Sequence, residues 1–62
     1  MNYLVKLYIL WQDGRWTAEA VRVDDQGSTD ATLHVAREAA RLTFGNRAGF
    51  LEVGPIYYFG EE

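Results

Sequence analysis

The chain of 62 residues contains no cysteine, one proline and one histidine. Without cysteine, neither a disulfide nor a thiolate zinc site can form. Long hydrophobic runs are also missing: the apolar start MNYLVKLYILW is too short and too interrupted to span a bilayer. The same segment lacks the basic region and the small-residue cleavage site of a signal peptide. We therefore expect a cytoplasmic protein without a cofactor.

Basic residues are in the minority, because six Lys and Arg face nine Asp and Glu, for a net charge of −3. This balance disfavours non-specific binding to nucleic acid, which depends on neutralising phosphates. The hydrophobic fraction of 48% is typical of a folded domain. A single domain of this size buries only about 60% of the surface that its unfolded chain exposes. Because disulfides are excluded, association is the expected additional source of stability.

The first half of the chain predicts a β-hairpin. Strong strand formers occupy Tyr3–Trp11 and Arg15–Val23, and Asp13-Gly14 between them is typical of a two-residue type I′ turn. This turn predicts the register of the two strands. The expected facing pairs are Gln12 and Arg15, Trp11 and Trp16, Ile9 and Ala18, Leu7 and Ala20, and Val5 and Arg22.

Alternation of side chains along each strand then predicts two faces. The predicted core face carries Tyr3, Val5, Leu7, Ile9, Trp11, Trp16, Ala18 and Ala20. The opposite face carries Leu4, Lys6, Tyr8, Leu10, Thr17, Glu19, Val21 and Val23. That second face is rich in apolar residues for a surface in contact with water. Either its apolar side chains are half-exposed and kept in solution by Lys6 and Glu19, or a second partner covers them.

One helix is predicted over about Ala31–Phe44, after the polar loop Asp24–Asp30. Thr29 or Asp30 is the expected N-cap, and Gly45-Asn46 marks the C-terminal end. The polar residues His34, Arg37, Glu38 and Arg41 fall on one narrow strip of this helix. The apolar arc covers more than half of the circumference, which is wider than packing on a single sheet requires.

The final segment FLEVGPIYYF predicts strand structure at an edge of the sheet, because Gly54-Pro55 does not fit a fully paired central strand. Two alternatives are open: one strand that kinks at Pro55, or two short strands, Phe50–Val53 and Ile56–Phe59. Ile56 and Tyr58 are expected on one face, with Tyr57 and Phe59 on the other.

The residues that carry chemistry are sparse. His34 and Glu38 are predicted to form a solvated pair on the helix surface, and no serine lies in a nucleophile pattern. The acidic loop does not match a calcium-binding EF-hand. We therefore predict neither a catalytic nor a metal site. Contact with nucleic acid through His34, Arg37 and Arg41 is the alternative hypothesis.

The segments YLVKL, DGRWTAEAV and TLHVAREAA together resemble the HicB-type antitoxin domain over about residues 3–42. Thr32, Leu33, Ala36 and Ala40 fit the helix pattern of that family. His34 and Val35 depart from it, since acidic residues typically follow the helix start, and the third strand expected before the helix is missing or reduced. The resemblance implies a small module that binds and blocks another protein, often as an oligomer.

These observations predict an α+β domain of order β-β-α-β, with one helix on one face of a small antiparallel sheet. The predicted function is that of a non-catalytic, acidic protein-binding module. It would be an inhibitor or adaptor of a larger protein, antitoxin-like or of the phage and mobile-element type, and a homodimer. The predicted contact surface for the partner or second copy comprises Leu4, Tyr8, Leu10, Val21, Val23, Tyr57 and Phe59.

Overall fold

The computed structural model describes all 62 residues and shows one helix packed on a three-stranded antiparallel sheet. The elements in chain order are β1 (Asn2–Trp11), β2 (Trp16–Asp24), α1 (Thr29–Phe44) and β3 (Phe50–Glu61). The strand order is β2-β1-β3, so β1 is central and both other strands are edges. The predicted α+β fold with the order β-β-α-β is confirmed.

The hairpin between β1 and β2 has a three-residue loop, so the predicted register is wrong by one residue. Trp11 and Arg15 face each other, with the Trp11 N–H donating to the Arg15 carbonyl at 3.0 Å, and Gly14 N–H donates to the Trp11 carbonyl at 2.9 Å. Gly14 has a φ of +84°. Three-residue hairpin loops usually consist of a tight turn followed by a glycine in the left-handed region. The Asp-Gly pair is compatible with this loop as well as with a two-residue turn.

The shift of one residue exchanges the two faces of β2. Val5 faces Val21 and Tyr3 faces Val23, whereas Trp16 faces Leu10. The core therefore contains Val21 and Val23 instead of Trp16, Ala18 and Ala20. The prediction for β1 itself is confirmed for the fully buried residues of its core face, which are Val5, Leu7 and Ile9.

The last strand is continuous, which resolves the two alternatives in favour of one irregular edge strand. Its pairing with β1 shifts register three times, between Lys6 and Leu7, between Leu7 and Ile9, and between Leu10 and Trp11. At each shift, β3 contains one residue more than the facing stretch of β1, as in a β-bulge. Pro55 lies within the second irregularity, where a missing N–H is tolerated on an edge strand.

The helix begins two residues earlier than predicted, because Ser28 is the N-cap instead of Thr29 or Asp30. Its Oγ accepts a hydrogen bond from the Ala31 N–H at 3.2 Å. Thr32 is buried, and its hydroxyl donates to the Ser28 carbonyl at 2.7 Å and accepts from the Gln26 N–H at 3.0 Å. The helix ends at Phe44, as predicted. It lacks the length and the apolarity that crossing a lipid bilayer requires.

Candidate interaction surface

The sheet face turned away from α1 is uncovered, and we call it the outer face. Side chains alternate between the two faces along each strand. The outer face therefore carries the strand residues that lie between the core residues, together with their paired neighbours on the adjacent strands. Its members are Asn2, Leu4, Lys6, Tyr8 and Leu10 of β1, Trp16, Ala18, Ala20, Arg22 and Asp24 of β2, and Glu52, Tyr57 and Tyr58 of β3. Most of this surface is apolar or aromatic, and only four of the thirteen side chains carry a charge.

Aromatic rings of the outer face contact neighbouring side chains and backbone across strands. The rings of Tyr8 and Tyr57 have centroids 4.6 Å apart, and the Lys6 ammonium lies 5.2 Å from the centre of the Tyr58 ring. The indole of Trp16 lies over Gly54, where an added Cβ would overlap the ring. Gly54 therefore allows Trp16 to reach β3 by a close approach across β1.

These rings remain accessible despite their mutual contacts. Trp16 is 50% exposed, Tyr57 47% and Tyr58 46%. One side of each ring system packs on the chain, and the remaining area is available to another molecule. Large exposed aromatic side chains gathered on one face are typical of interaction sites, whereas scattered ones are not.

Two of the predicted contact residues on β2 and one on β3 lie elsewhere. Val21 and Val23 are buried in the core because of the register shift. Phe59 faces Val5 on the core side and stacks on Tyr3, with ring centroids 4.7 Å apart. Leu4, Tyr8, Leu10 and Tyr57 are brought together on the outer face.

Sequence reasoning missed Trp16, Ala18, Ala20 and Tyr58 as members of this surface. Tyr58 joins Tyr57 on the same side because the bulge opposite Lys6 and Leu7 breaks the alternation of β3. The residue pattern YYF, with no polar residue among three, was the available signal that regular alternation fails there. The position of Trp16 follows directly from the hairpin register.

The helix strip proposed for nucleic acid is largely engaged within the chain. The Arg37 guanidinium donates to the carbonyls of Gly54 at 2.9 Å and Val53 at 3.3 Å. Arg41 pairs with Glu38 one turn earlier. Glu38 therefore contacts Arg41 and not His34, its predicted partner. His34 is exposed.

One titratable group is perturbed. The backbone N–H of Arg15 donates to the Asp13 carboxylate at 3.0 Å and, together with the Arg15 side chain, lowers the pKa of Asp13. The group lies at the exposed hairpin turn, so it reports on local turn structure. No group of three or more His, Asp or Glu side chains is arranged to hold a metal ion.

Two shallow depressions exist in the surface. One of about 190 Å³ lies beside the start of α1 and is lined by residues including Tyr3, Ser28 and Phe59. The other, of about 370 Å³, lies between the hairpin turn and the segment before β3, beside Trp11 and Gly49. Neither contains a pair of side chains placed as a nucleophile and its base.

Comparison with known proteins adds no relative. No protein-family model matches the chain, and neither curated proteins nor solved structures give a significant match. The resemblance to HicB-type antitoxin domains therefore stays a prediction.

Proposed function

We propose that the protein is a small, non-catalytic protein-binding module that acts as an inhibitor or adaptor of a larger protein and associates with itself. The outer face is its partner-binding surface. The observation that carries this proposal is the uncovered sheet face with three half-exposed aromatic residues, Trp16, Tyr57 and Tyr58. The HicB-type resemblance of the sequence, which implies binding and blocking of a protein, points to the same class of function.

The composition of the outer face favours a protein partner. Aromatic residues are enriched at the centres of protein interfaces, because they provide large contact areas at low cost in side-chain entropy. Completing the burial of a half-exposed aromatic side chain contributes about 1 kcal/mol, which is half of the value for full burial. Several such residues on one surface are enough for specific binding when backbone and shape are preorganised.

The charges around the outer face favour a partner that is apolar at the centre and mixed at the rim. Lys6 is held over Tyr58, and Arg22 pairs with Glu62 at 2.8 Å. Glu52 faces Leu10 at the other end of the face. Nucleic acid would require unpaired cations here, and the two that are present are already engaged.

The experiment compares capture by the wild-type protein with capture by Tyr57→Glu. Tyr57 is on the outer face and half-exposed, so the substitution adds a charge to the binding surface with little effect on folding. Gln12→Glu is the matched control, because it adds the same charge at the exposed hairpin turn. Proteins captured from the source cells are identified by mass spectrometry, and each interaction is then measured with purified components by calorimetry.

We expect a partner that binds wild type and Gln12→Glu equally and binds Tyr57→Glu at least tenfold more weakly. Its affinity should change little between about 0.1 and 0.5 M salt, because apolar docking is insensitive to salt whereas phosphate contacts weaken steeply. Equal binding by Tyr57→Glu, or binding that disappears at the higher salt concentration, would contradict the proposal.

A further inference from the structure

The free edge of β2 presents unpaired backbone groups. Trp11 and Arg15 are a hydrogen-bonded pair, and so are Met1 and Asp25 at the other end of the hairpin, where Asp25 N–H donates to the Met1 carbonyl at 3.0 Å. In an antiparallel ladder, hydrogen-bonded and non-bonded pairs alternate. The odd-numbered residues of β2 therefore bond to β1, and the even-numbered residues direct their N–H and C=O groups away from the sheet.

The even-numbered residues of β2 form a regular and accessible edge. They are Trp16, Ala18, Ala20, Arg22 and Asp24, and all five are exposed. The pairing of β2 with β1 has no register shift, and β2 contains neither Gly nor Pro. A long, regular edge of this kind is a ready template for another strand. Only its end is closed, because the Gln26 side chain donates to the Asp24 carbonyl at 3.1 Å.

An apolar stripe of α1 lies beside this edge. Arg37 bonds to β3, so the opposite flank of the helix points toward β2. Val35 and Ala39 lie roughly 160° around the helix from Arg37, on that flank, and both are half-buried. Leu42 lies about 160° from the buried Ala40 and Phe44, so it is directed away from the sheet, and it is 76% exposed. The wide apolar arc of the helix thus extends beyond what the sheet covers.

We propose that a second copy of this chain occupies the β2 flank, with β2 pairing antiparallel to β2 of the copy around a two-fold axis at Ala20. The self-association in the proposed function is thereby placed on this flank, and the outer face remains free for the partner. The two sheets join into one six-stranded sheet. The helices of the two copies lie on the same side of it, with the apolar flanks at Val35 and Ala39 facing each other.

The charges of β2 select the register. Pairing centred on Glu19 would place it opposite its own copy, and pairing centred on Arg22 would do the same for arginine, which is unfavourable. Pairing centred on Ala20 spans β2 from Trp16 to Asp24, where the Asp24 carbonyl stays bonded to the Gln26 side chain, and it sets Ala18 opposite Arg22, and Trp16 opposite Asp24. No like charges then face each other directly.

Both components are needed because the molecule is small. Its principal dimensions are 36 × 18 × 16 Å, so no flank offers the area of a large apolar interface. Specific dimers commonly bury about 800 Å² on each partner. Strand pairing supplies directional hydrogen bonds along β2, and the helix stripe supplies the apolar contact above them.

The first test measures the mass of the protein in solution by sedimentation velocity over a range of concentrations. We expect the wild type to form a dimer with a Kd in the micromolar range. Ala20→Pro should be a monomer at all accessible concentrations, because the proline ring blocks the edge while its missing N–H serves no bond within the chain. Ala39→Glu should weaken the dimer at least tenfold, and glutamate is a good helix former that can extend its carboxylate from this half-buried position into solvent in the monomer.

Tyr57→Glu is the control for this test, since it alters the outer face alone. It should dimerise like the wild type. A wild-type monomer at the highest concentration would overturn the proposal. So would a dimer that Tyr57→Glu disrupts and Ala39→Glu leaves intact. Because partner capture and self-association respond to different variants, failure of one is distinguishable from failure of the other.

The second test exploits the absence of native cysteine. In the proposed pairing, Ala20 faces Ala20 of the copy with about 5.5 Å between Cα atoms, which is within the range of a disulfide. Ala20→Cys should therefore form a covalent dimer rapidly under mild oxidation. In Ala18→Cys, the two thiols would be roughly 14 Å apart along the strands, so cross-linking should be slow. Equal rates for the two variants, or faster cross-linking of Ala18→Cys, would overturn the proposed pairing.

Discussion

The two edges of the sheet differ in almost every respect that affects strand pairing. The β3 edge is irregular, with three register shifts and a proline in twelve residues. Arg37 also occupies two of its carbonyls from the helix side. The β2 edge has regular pairing, small side chains at Ala18 and Ala20, and no covering element. Natural sheets commonly protect edges by bulges, proline and charged side chains. Here that protection is concentrated on β3.

The difference indicates that the two edges have separate roles. A chain with only eleven buried residues has little margin of stability. The hydrogen bonds from Arg37 to β3 stabilise the monomer, because they connect the helix to this strand beside Pro55, where pairing with β1 is interrupted. The β2 edge has no comparable contact within the chain, and it is the edge at which we propose that a second copy pairs. The two edges therefore differ in how far contacts within the chain close them.

The largest expected effect on the free energy of unfolding comes from introducing a proline at one of two adjacent positions of β2, Val21 or Ala20. Val21→Pro removes a hydrogen bond to β1 and a buried side chain, so we expect a loss of about 3 kcal/mol or more in the free energy of unfolding. Ala20→Pro removes a donor that points away from the sheet, and should change the free energy of unfolding of the monomer by less than about 1 kcal/mol. Urea unfolding at low protein concentration measures both.

This pair of substitutions tests whether the backbone N–H of Ala20 points away from β1. Equal destabilisation by the two prolines would mean that Ala20 is hydrogen-bonded to β1, and β2 would then not present a free edge. Circular dichroism of Ala20→Pro should retain the wild-type spectrum under native conditions.

A smaller effect is expected at the closed edge, from Arg37→Ala. Hydrogen bonds from a charged donor contribute about 1.5–3 kcal/mol, and Arg37 is half-buried, so a loss of about 2 kcal/mol in the free energy of unfolding is expected. Arg41→Ala is the matched control, because its pair with Glu38 is exposed and should contribute less than about 0.5 kcal/mol.

Arg37→Ala should also raise hydrogen exchange at the amides of β3 around Gly54 more than at those of β1. If both arginine variants unfold at the same urea concentration, Arg37 does not stabilise the β3 edge as described.

The sequence permitted a correct prediction of the fold, because the strand formers, the polar loop and the helix pattern all agree locally. It did not determine the faces of β2. Asp13-Gly14 is compatible with both a two-residue and a three-residue loop, and the choice between them reverses every side chain of the strand. Burying Val21 and Val23 in place of Trp16, Ala18 and Ala20 gives the core two β-branched residues, and this tertiary preference is not visible in the turn alone.

The candidate surface was predicted only in part for the same reason. Leu4, Tyr8 and Leu10 lie on the central strand, whose alternation is regular, and they were placed correctly on the outer face. Tyr57 was predicted on the correct face. Phe59 lies on the core side and Tyr58 on the outer face, the reverse of the prediction, because a bulge in β3 shifts its pairing with β1. Residues on a regular central strand can be assigned to a face from alternation, but residues of an irregular edge strand require the partner register.

The smallest expected effect concerns the turn that sets the register of β2 and therefore the identity of its edge residues. The pKa of Asp13 is lowered by the backbone N–H and the side chain of Arg15. A lowered pKa in the folded chain stabilises the fold above the ordinary aspartate pKa of about 3.9. That contribution disappears as the pH falls through the lower pKa of the folded state. The melting temperature of wild type should therefore exceed that of Asp13→Asn slightly at pH 7, and the two should converge near pH 2, because a protonated aspartate resembles asparagine in charge. A difference in melting temperature that is independent of pH would show that the charge of Asp13 does not support the turn.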